Sequence, residues 1–250
     1  MKMTGRTVLV AGGTSGIGLA LADAFHELGN RVIVAGRRED RLARIVSARP
    51  GMAAIRLDVT DPASVAALAR EIADRFPEAD TLIANAGISR PENLVDGWTP
   101  DIAEAIVETN ILGTIRTIGA LLPHLTRRPG ATIMATGSAL AFVPLAGFPT
   151  YCASKAFLHS WLVSLRHQLR DRSAEVIELS PPYVQTELTG QAQASDPRAT
   201  PLDEYVDAVM ARLEAGAYPA GELLLDGDLP RRHAERDGTF DTIFAAMNPA

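Results

Sequence analysis

The chain has 250 residues, 47% of them hydrophobic, with 24 basic and 30 acidic side chains and a formal net charge of −6. This length suffices for one large domain with a substantial core, and the acidic balance argues against nucleic acid as a general partner. Cys152 is the single cysteine, so no internal disulfide can form, which agrees with a reducing cytoplasm.

The amino terminus, from Met1 to Arg6, leads into only a short apolar run before the first glycines, which is too short for the core of a signal peptide. No stretch approaches the ~20 apolar residues of a membrane span. The chain shows no repeats or linker-like composition. We therefore expect one domain over residues 1–250, located in the cytoplasm and not in a membrane.

A glycine-rich turn follows the first predicted strand, Thr7 to Ala11, and a helix is predicted from Leu19 to Leu28. Glycines between a strand and a helix let the main chain approach a pyrophosphate, toward which the helix N–H groups point. A tight turn that only packs helix on strand is the alternative, but the complete context favours nucleotide binding. The candidate residues are Gly12, Thr14, Ser15, Gly16, Ile17 and Gly18.

Two arginines follow the second predicted strand, Arg31 to Ala35. An NAD-binding fold usually has an acidic residue here to bind the ribose 2′-hydroxyl group. Arg37 and Arg38 instead favour an anion, which points to the 2′-phosphate of NADP; ordinary surface charge is the alternative. We expect Arg37 to make the closer contact because it comes first.

Further strands alternate with helices along the chain. Asp58 and Val59 follow the third strand, where Asp58 could reach an adenine or cap a helix, and Asn85-Ala86-Gly87 follows the fourth. This alternation predicts an α/β fold with a doubly wound parallel sheet of about seven strands and helices on both faces. Right-handed crossovers then place the carboxyl end of every strand on the ligand side.

Tyr151 and Lys155 are four positions apart in a segment predicted to be helical, so both side chains project from one face. A free tyrosine has a pKa near 10 and is a poor acid at neutral pH. A cation ~4 Å away at an effective dielectric constant of ~20 could lower that pKa enough to make Tyr151 a usable proton donor. The spacing also occurs by chance in many helices, so the argument depends on the rest of the chain.

Two polar residues accompany this pair. Asn110 falls on the apolar stripe of a helix predicted from Asp101 to Leu122. It is either a structural amide bonded to the backbone or part of a water or proton path, and the pattern alone favours the structural role. Ser138 ends the fifth strand, where its hydroxyl could donate to a substrate oxygen or belong to an ordinary turn.

Together these motifs resemble a classical short-chain dehydrogenase/reductase. They occur in the family's order over residues 5–190: the Gly12/Gly16/Gly18 turn, Asn85-Ala86-Gly87, Asn110, Ser138, Tyr151-x-x-x-Lys155 and the Pro181…Thr186 loop. Within the family, the chain looks most similar to the DltE-like group of bacterial oxidoreductases, on the glycine turn, Gly36-Arg37, Tyr151-Cys152-Ala153-Ser154-Lys155 and Glu178-Leu179-Ser180-Pro181-Pro182.

The resemblance implies a single-domain Rossmann fold with a cofactor-binding half (5–95) and a catalytic half (96–186). The remaining residues (187–250) are expected to form a substrate flap and a C-terminal extension. Glu187 to Thr200, polar and rich in Ala, Gln and Ser, predicts a mobile flap, while Asp226 to Ala250 departs from the short ending common in the family.

The resemblance implies that Tyr151 exchanges a proton with the substrate and that Lys155 lowers the tyrosine pKa and holds the nicotinamide ribose. It also implies that Ser138 polarises a carbonyl group and that Asn110 holds a water. The remaining implied contacts to NADP(H) are Asn85, Ala86, Gly87, Pro181, Val184 and Thr186.

The expected function is NADP(H)-dependent interconversion of a ketone or aldehyde and an alcohol, with no metal. A non-catalytic NADP(H) sensor or scaffold of the same fold is the alternative. Epimerase or dehydratase activity is less favoured, because an extended C-terminal substrate domain is absent. The family implies a homodimer or homotetramer. Candidate substrate contacts, which suggest an apolar carbonyl compound, are Leu140, Phe142, Val143, Phe148 and Tyr183.

Overall fold

Seven short strands form one parallel sheet in the computed structural model, which describes residues 1–249. Their sequences are rich in aliphatic residues because strands covered on both faces alternate between two apolar environments. The strand order is β3-β2-β1-β4-β5-β6-β7, as in a doubly wound fold, which confirms the predicted architecture. The strands are β1 Thr7–Ala11, β2 Arg31–Gly36, β3 Ala53–Arg56, β4 Thr81–Ala84, β5 Thr132–Thr136, β6 Glu175–Leu179 and β7 Glu222–Leu223.

Helices cover both faces of the sheet. Side chains of α1, α2 and α7 pack on one face, and side chains of α3, α5 and α6 pack on the other. The helix α2 was not predicted, and β7 is shorter than expected. The α-helices are α1 Gly16–Glu27, α2 Glu39–Ala48, α3 Pro62–Arg75, α4 Pro100–Ile106, α5 Thr114–Leu125, α6 Pro149–Gln168, α7 Leu202–Ala215, α8 Leu229–Arg232 and α9 Phe240–Met247.

A π-helical segment, Val107–Gly113, joins α4 to α5 where the sequence predicts a regular helix. A π-turn widens the helix and is frequent at functional sites. Asn110 lies within it and is completely buried. At its end, Gly113 approaches the loop after β3 so closely that a Cβ atom would lie 2.7 Å from Cγ2 of Val59. The irregular helix therefore brings a buried amide toward the carboxyl ends of the strands.

The continuous helical stretch Pro100–Leu125 corrects the expectation that no stretch of the chain approaches the length and apolar character of a membrane span. Its 26 residues have a mean hydropathy of 1.3, so within the described residues it is the one helix long and apolar enough to cross a membrane. Length and composition alone are weak evidence, because core helices pass the same test. The α5 part of this helix packs against α3, β4 and β5, with Ile118 and Leu121 in the core.

The C-terminal extension packs on the rim of the domain. Arg232 in α8 binds the carboxylate of Glu222 in β7 through Nε at 2.6 Å and Nη2 at 3.1 Å. After α9, Asn248 accepts a hydrogen bond from the backbone N–H of Ala146 at 2.6 Å and donates one to the carbonyl of Pro144 at 3.2 Å. The division of the chain into cofactor-binding, catalytic and flap segments stays a prediction about function.

Candidate active site

The helix α6 begins beside the carboxyl ends of β5 and β6, with Pro149 in its first turn. Proline fits this position because the first N–H groups of a helix have no intrahelical partner. Tyr151 and Lys155 lie one turn apart and are both buried. Lys155 Nζ lies 5.6 Å from the centroid of the Tyr151 ring. The predicted pair therefore does share one helix face.

The pKa of Tyr151 does not behave as expected from the pair considered alone. Burial raises this pKa to about 12, and a hydrogen bond with Ser138 only partly opposes the rise. The prediction that the Tyr151–Lys155 pair brings this pKa down toward neutrality is wrong, although a nearby ammonium favours the phenolate. The physical reason is that desolvation destabilises the buried phenolate by more than the neighbouring groups stabilise it. At neutral pH the phenol is protonated.

Lys155 is also changed by its surroundings. Its ammonium group donates a hydrogen bond to the backbone carbonyl of Thr136 at 2.7 Å. Burial lowers the pKa of Lys155 to about 8, and the negative charge of Glu178 opposes this effect. Lys155 is therefore mostly charged at neutral pH, but its pKa lies only slightly above that pH.

Ser138 lies at the tip of β5, directly after Gly137. Its Oγ accepts a hydrogen bond from the N–H of Leu140 at 3.1 Å. The hydroxyl hydrogen is left free to be donated, because a hydroxyl has one donor and two acceptor positions. The structure thus brings Ser138 within hydrogen-bond distance of the phenol of Tyr151, and this bond acts to lower the tyrosine pKa.

Asn110 has the structural role that the sequence pattern favours. Its Oδ1 accepts from the N–H of Ile88 at 2.8 Å, while Nδ2 donates to the carbonyl of Ile88 at 2.9 Å and to Ser154 Oγ at 3.1 Å. A Cβ atom on Gly87 would lie 3.3 Å from Asn110 Oδ1 and 3.8 Å from Lys155 Nζ. Asn110 therefore fixes the loop after β4 against Lys155.

The glycine turn after β1 depends on close backbone contacts. Gly12 has φ +84°, and a Cβ atom there would lie 2.6 Å from the nitrogen of Ala86. A Cβ atom on Gly18 would lie 2.3 Å from the carbonyl oxygen of Gly12. Asn85 closes the turn by donating from Nδ2 to this carbonyl at 3.1 Å and accepting from Thr136 at 3.0 Å.

The amino terminus of α1 is open to an anion. Ser15 precedes the helix in extended conformation without a side-chain capping bond, and the first turn has no acidic residue. The first N–H groups of a helix bind anions when no side chain satisfies them. Thr14, Gly16 and Ile17 lie in the same turn. These features fit the pyrophosphate of a dinucleotide.

Arg38, rather than Arg37, contacts this turn. Its Nη2 donates to Thr14 Oγ1 at 3.3 Å and to Ser15 Oγ at 3.4 Å. Burial, together with the neighbouring charges of Arg41 and Arg37, lowers the pKa of Arg38. Guanidinium groups this close repel one another, so an additional anion would be stabilised among them.

The residues after β3 form a compact polar turn. Asp58 accepts two hydrogen bonds from Thr60, one from N–H at 3.0 Å and one from Oγ1 at 2.7 Å. Burial acts to raise the pKa of Asp58, but these bonds and the charges of Arg37 and Arg56 leave it lowered. Asp58 is thus ionised and lies beside the arginines, while Val59 packs on Gly113.

The loop after β6 reaches the glycine turn from the other side. The methyl group of Thr186 lies 3.5 Å from the position of a Cβ on Gly16. Ala139 donates its N–H to the carbonyl of Pro181 at 3.0 Å. Gln193 donates to the carbonyl of Val184 at 2.7 Å. The segment from Glu187 to Thr200, predicted as a mobile flap, is therefore tied to this loop.

The five candidate substrate contacts occupy different environments. Leu140 and Phe148 pack on the cluster that contains Tyr151. Val143 is completely buried, which excludes it from direct contact with a ligand in this conformation. Phe142 packs edge-on against His159 instead. Tyr183 is exposed and donates its hydroxyl to Asp196 at 3.2 Å.

The burial of several polar residues near the site has no signal in the sequence. Glu92 accepts from the N–H and the hydroxyl of Thr150, at 3.1 and 3.0 Å, and so caps the start of α6. Gln193 and Glu178 are also buried. Glu178 belongs to a stretch that carries the family resemblance, but no local motif predicts the burial of Glu92, Gln193 or Glu178, because burial depends on residues that are distant in the chain. Among residues 1–249, no group of three or more His, Cys, Asp or Glu side chains could hold a metal.

The pKa of Lys155 can be measured directly, because the chain has only one other lysine, Lys2. Protein labelled with ¹³C in lysine should show two Cε resonances. We expect the Lys155 resonance to titrate with a midpoint near pH 8, the depressed pKa given by burial. Lys2→Arg assigns the two signals. A midpoint of Lys155 equal to that of Lys2 would contradict the buried environment.

Lys155→Met should stabilise the protein at pH 7. The folded-state pKa is depressed to about 8, so below that pH the buried cation costs the folded state free energy, while methionine does not. Between pH 8 and ~10.4 the unfolded wild-type chain binds more protons, so wild-type stability rises with pH through this window. At pH 7 we expect the free energy of unfolding of Lys155→Met to exceed that of the wild type by about 2 kcal/mol, once the lost hydrogen bond is subtracted. This difference should shrink toward pH 10.

Denaturant unfolding of both proteins at several pH values measures this difference. A gain that does not change with pH would reject the titration of Lys155 as its cause.

Comparison with known proteins agrees with this geometry. The short chain dehydrogenase family model matches residues 6–197. The chain is 38% identical over 252 aligned positions to the uncharacterized oxidoreductase DltE of Bacillus subtilis, covering 99% of this chain and 98% of the relative. It is 34% identical over 201 positions to sulfoacetaldehyde reductase 2 of Chromohalobacter salexigens, covering 76% and 79% of the two chains.

A solved structure extends the likeness over the whole chain. A short chain dehydrogenase from Burkholderia cenocepacia, crystallised in complex with NADP, superimposes with a TM-score of 0.83 and 27% identity, covering 100% of both chains. The match therefore includes the C-terminal extension as well as the sheet. The chain belongs to the short-chain dehydrogenase family and is an oxidoreductase of that family.

Proposed function

We propose that the protein is an NADP(H)-dependent carbonyl reductase or alcohol dehydrogenase. The observation that carries this proposal is that the glycine turn and the buried Tyr151–Lys155 pair lie close together at one edge of the sheet. Gly87, in the loop that packs on the glycine turn, also lies against Asn110 and Lys155. A nucleotide bound along the turn would therefore reach the buried Tyr151 and Ser138. NADP is favoured by Arg38 on the turn and by the NADP complex of the related structure.

The residues of this chain supply the proton. A reduced nicotinamide held along the glycine turn would supply the hydride that adds to the carbonyl carbon. Tyr151 donates its phenolic proton to the carbonyl oxygen, which becomes the alcohol oxygen, and the phenol becomes phenolate. The alkoxide is a stronger base than phenolate, so a phenol of raised pKa still delivers the proton. Ser138 donates a hydrogen bond to the same oxygen, and Lys155 stabilises the phenolate.

Other residues hold the reacting groups in place. Lys155 would hold the nicotinamide ribose, and Thr186 the carboxamide of the nicotinamide. Leu140 and Phe148 line the apolar side of Tyr151, which supports an apolar ketone or aldehyde as the substrate. Val143 is left out of this pocket because it is fully buried.

The assembly and location stay predictions. We infer a homodimer or homotetramer in the cytoplasm that acts on a small molecule and binds neither nucleic acid nor membrane. Exposed apolar side chains on the helical layer, among them Val107, Phe157 and Val163, support association through α6 and the long helix before β5.

Tyr151→Phe should abolish reduction while leaving cofactor binding intact. Phenylalanine keeps the ring and its packing but has no proton to donate, so we expect kcat to fall at least 100-fold, the lower end of general acid catalysis. NADPH oxidation with a panel of ketones and aldehydes measures kcat, and quenching of protein fluorescence measures NADPH binding. Equal turnover by both proteins would reject Tyr151 as the acid. NADPH binding without turnover of any substrate by the wild type would favour the sensor function.

Arg38→Ala should weaken NADPH binding at least tenfold and leave NADH binding unchanged, because a charge-assisted bond to the 2′-phosphate contributes about 1.5–3 kcal/mol. Arg37→Ala, tested in parallel, shows which arginine makes the closer contact. Arg44→Ala is the control, since Arg44 pairs with Asp40 on the exposed side of α2. Equal losses for both nucleotides would show that Arg38 acts on the turn and not on the phosphate.

A further inference from the structure

A carboxylate is buried between α6 and the sheet. Glu178 in β6 is completely buried, although acidic side chains are almost never fully buried unless they are paired. Its Oε2 contacts His159 Nδ1 at 2.8 Å, and its Oε1 accepts from Ser180 Oγ at 3.3 Å. A Cβ atom on Gly137 would lie 2.6 Å from Oε1. The carboxylate is thus held from three sides.

This carboxylate shares an interface with the catalytic lysine. His159 follows Lys155 by one turn of α6, so both side chains lie on one face of the helix. Thr136, whose carbonyl binds Lys155, is paired in the sheet with Leu179, the neighbour of Glu178. Within residues 1–249, Lys155 has no salt bridge to a carboxylate. The charge of Glu178 therefore acts on Lys155 through the low-dielectric interior, where it is weakly screened.

The other charges around Glu178 are already paired or bonded. Glu222 lies opposite Glu178 on β7 but binds Arg232 through both its oxygens. Arg232 also lies over the ring of Phe142, which packs on His159. On α6, Arg166 donates to the carbonyls of Val176 and Gly221. The titratable and charged groups facing Glu178 are thus Lys155, His159 and Arg166 from α6, Glu222 from β7 and Arg232 from α8.

His159 connects this cluster to solvent. Its side chain is 20% exposed, and it lines a cavity of about 510 Å³ formed with Phe142 and the C-terminal extension. Because its partner is a carboxylate, the ring donates from Nδ1. This bond holds the carboxylate of Glu178 in place between β6 and α6.

We propose that Glu178, held by His159, is a positioning residue whose buried negative charge keeps Lys155 in its ammonium form beside Tyr151. Reduction needs this ammonium group, since a neutral lysine does not stabilise the phenolate. Glu178 thereby sets the upper pH limit of reduction. The link to reduction rests on the proposed function, whereas the charge state of Lys155 does not.

The ¹³C titration of Lys155 tests the proposal without turnover. In Glu178→Gln, which keeps the shape and the polar contacts, we expect the midpoint of Lys155 to fall by about one pH unit. Two controls should leave it at the wild-type value. Ser180→Ala removes a hydrogen bond to the carboxylate but keeps its charge. Glu175→Gln makes the same chemical change at the partly exposed start of β6.

The pH profile of kcat/KM for reduction is the second measurement. Glu178→Gln should move the alkaline limb to lower pH by the same amount as the NMR midpoint and leave the activity at lower pH in place. A merely structural role would lower the activity at all pH values without moving the limb. If the wild type reduces no carbonyl compound, the proposed function fails, but the titration of Lys155 still decides the role of Glu178.

His159→Leu is a second variant that leaves the sequence of β6 unchanged. Without its ring partner, the carboxylate of Glu178 is no longer held beside α6, and the midpoint of Lys155 should fall in the same direction as in Glu178→Gln. An unchanged midpoint in both variants would overturn the proposal. An equal shift in the two variants and in both controls would also overturn it, because it would indicate general loosening of the interior.

Discussion

The arrangement of the site depends on one buried cation. The ammonium of Lys155 has a single hydrogen bond to a backbone carbonyl and lies against the ring of Tyr151. Burial of a charge is costly, and the protein offsets part of this cost with a carboxylate on the neighbouring strand. Gly87 lies against this lysine and Asn110, and Ser138 bonds to its neighbour Tyr151, all at the carboxyl edge of the sheet.

Close backbone contacts bring the two halves of the site together. The glycine turn fits against the loop after β4 only because Gly12 and Gly18 have no side chain. Asn85 bonds this turn to β5, and Asn110 bonds the same loop to α6 through Ser154. The π-helical segment supplies the irregularity that turns Asn110 into the interior. A change at any of these contacts would therefore alter the packing of both the glycine turn and the buried Tyr151–Lys155 pair.

The opposite shifts of the two pKa values have a single cause. Burial disfavours the charged form of either group, so it raises the pKa of Tyr151 and lowers the pKa of Lys155. An argument from the Tyr–Lys pair alone includes the attraction between phenolate and ammonium but leaves out this cost of burial. The phenol and the lysine are thus coupled through the interior that surrounds them as much as through their own contact, and Glu178 belongs to that interior.

The sequence by itself determined the α/β fold with its parallel sheet, because the alternation of strands and helices is a local pattern. Its motifs also singled out Ser138, Tyr151 and Lys155, which the structure brings together. The sequence did not reveal α2, the π-helical segment, the burial of Val143 or the contact of Arg38 with Thr14. Only the tertiary structure decided the direction of the Tyr151 pKa and the presence of Glu178 and Glu92 near the site. Burial and pairing join residues far apart in the chain, and no local pattern records which distant side chains will share one interior.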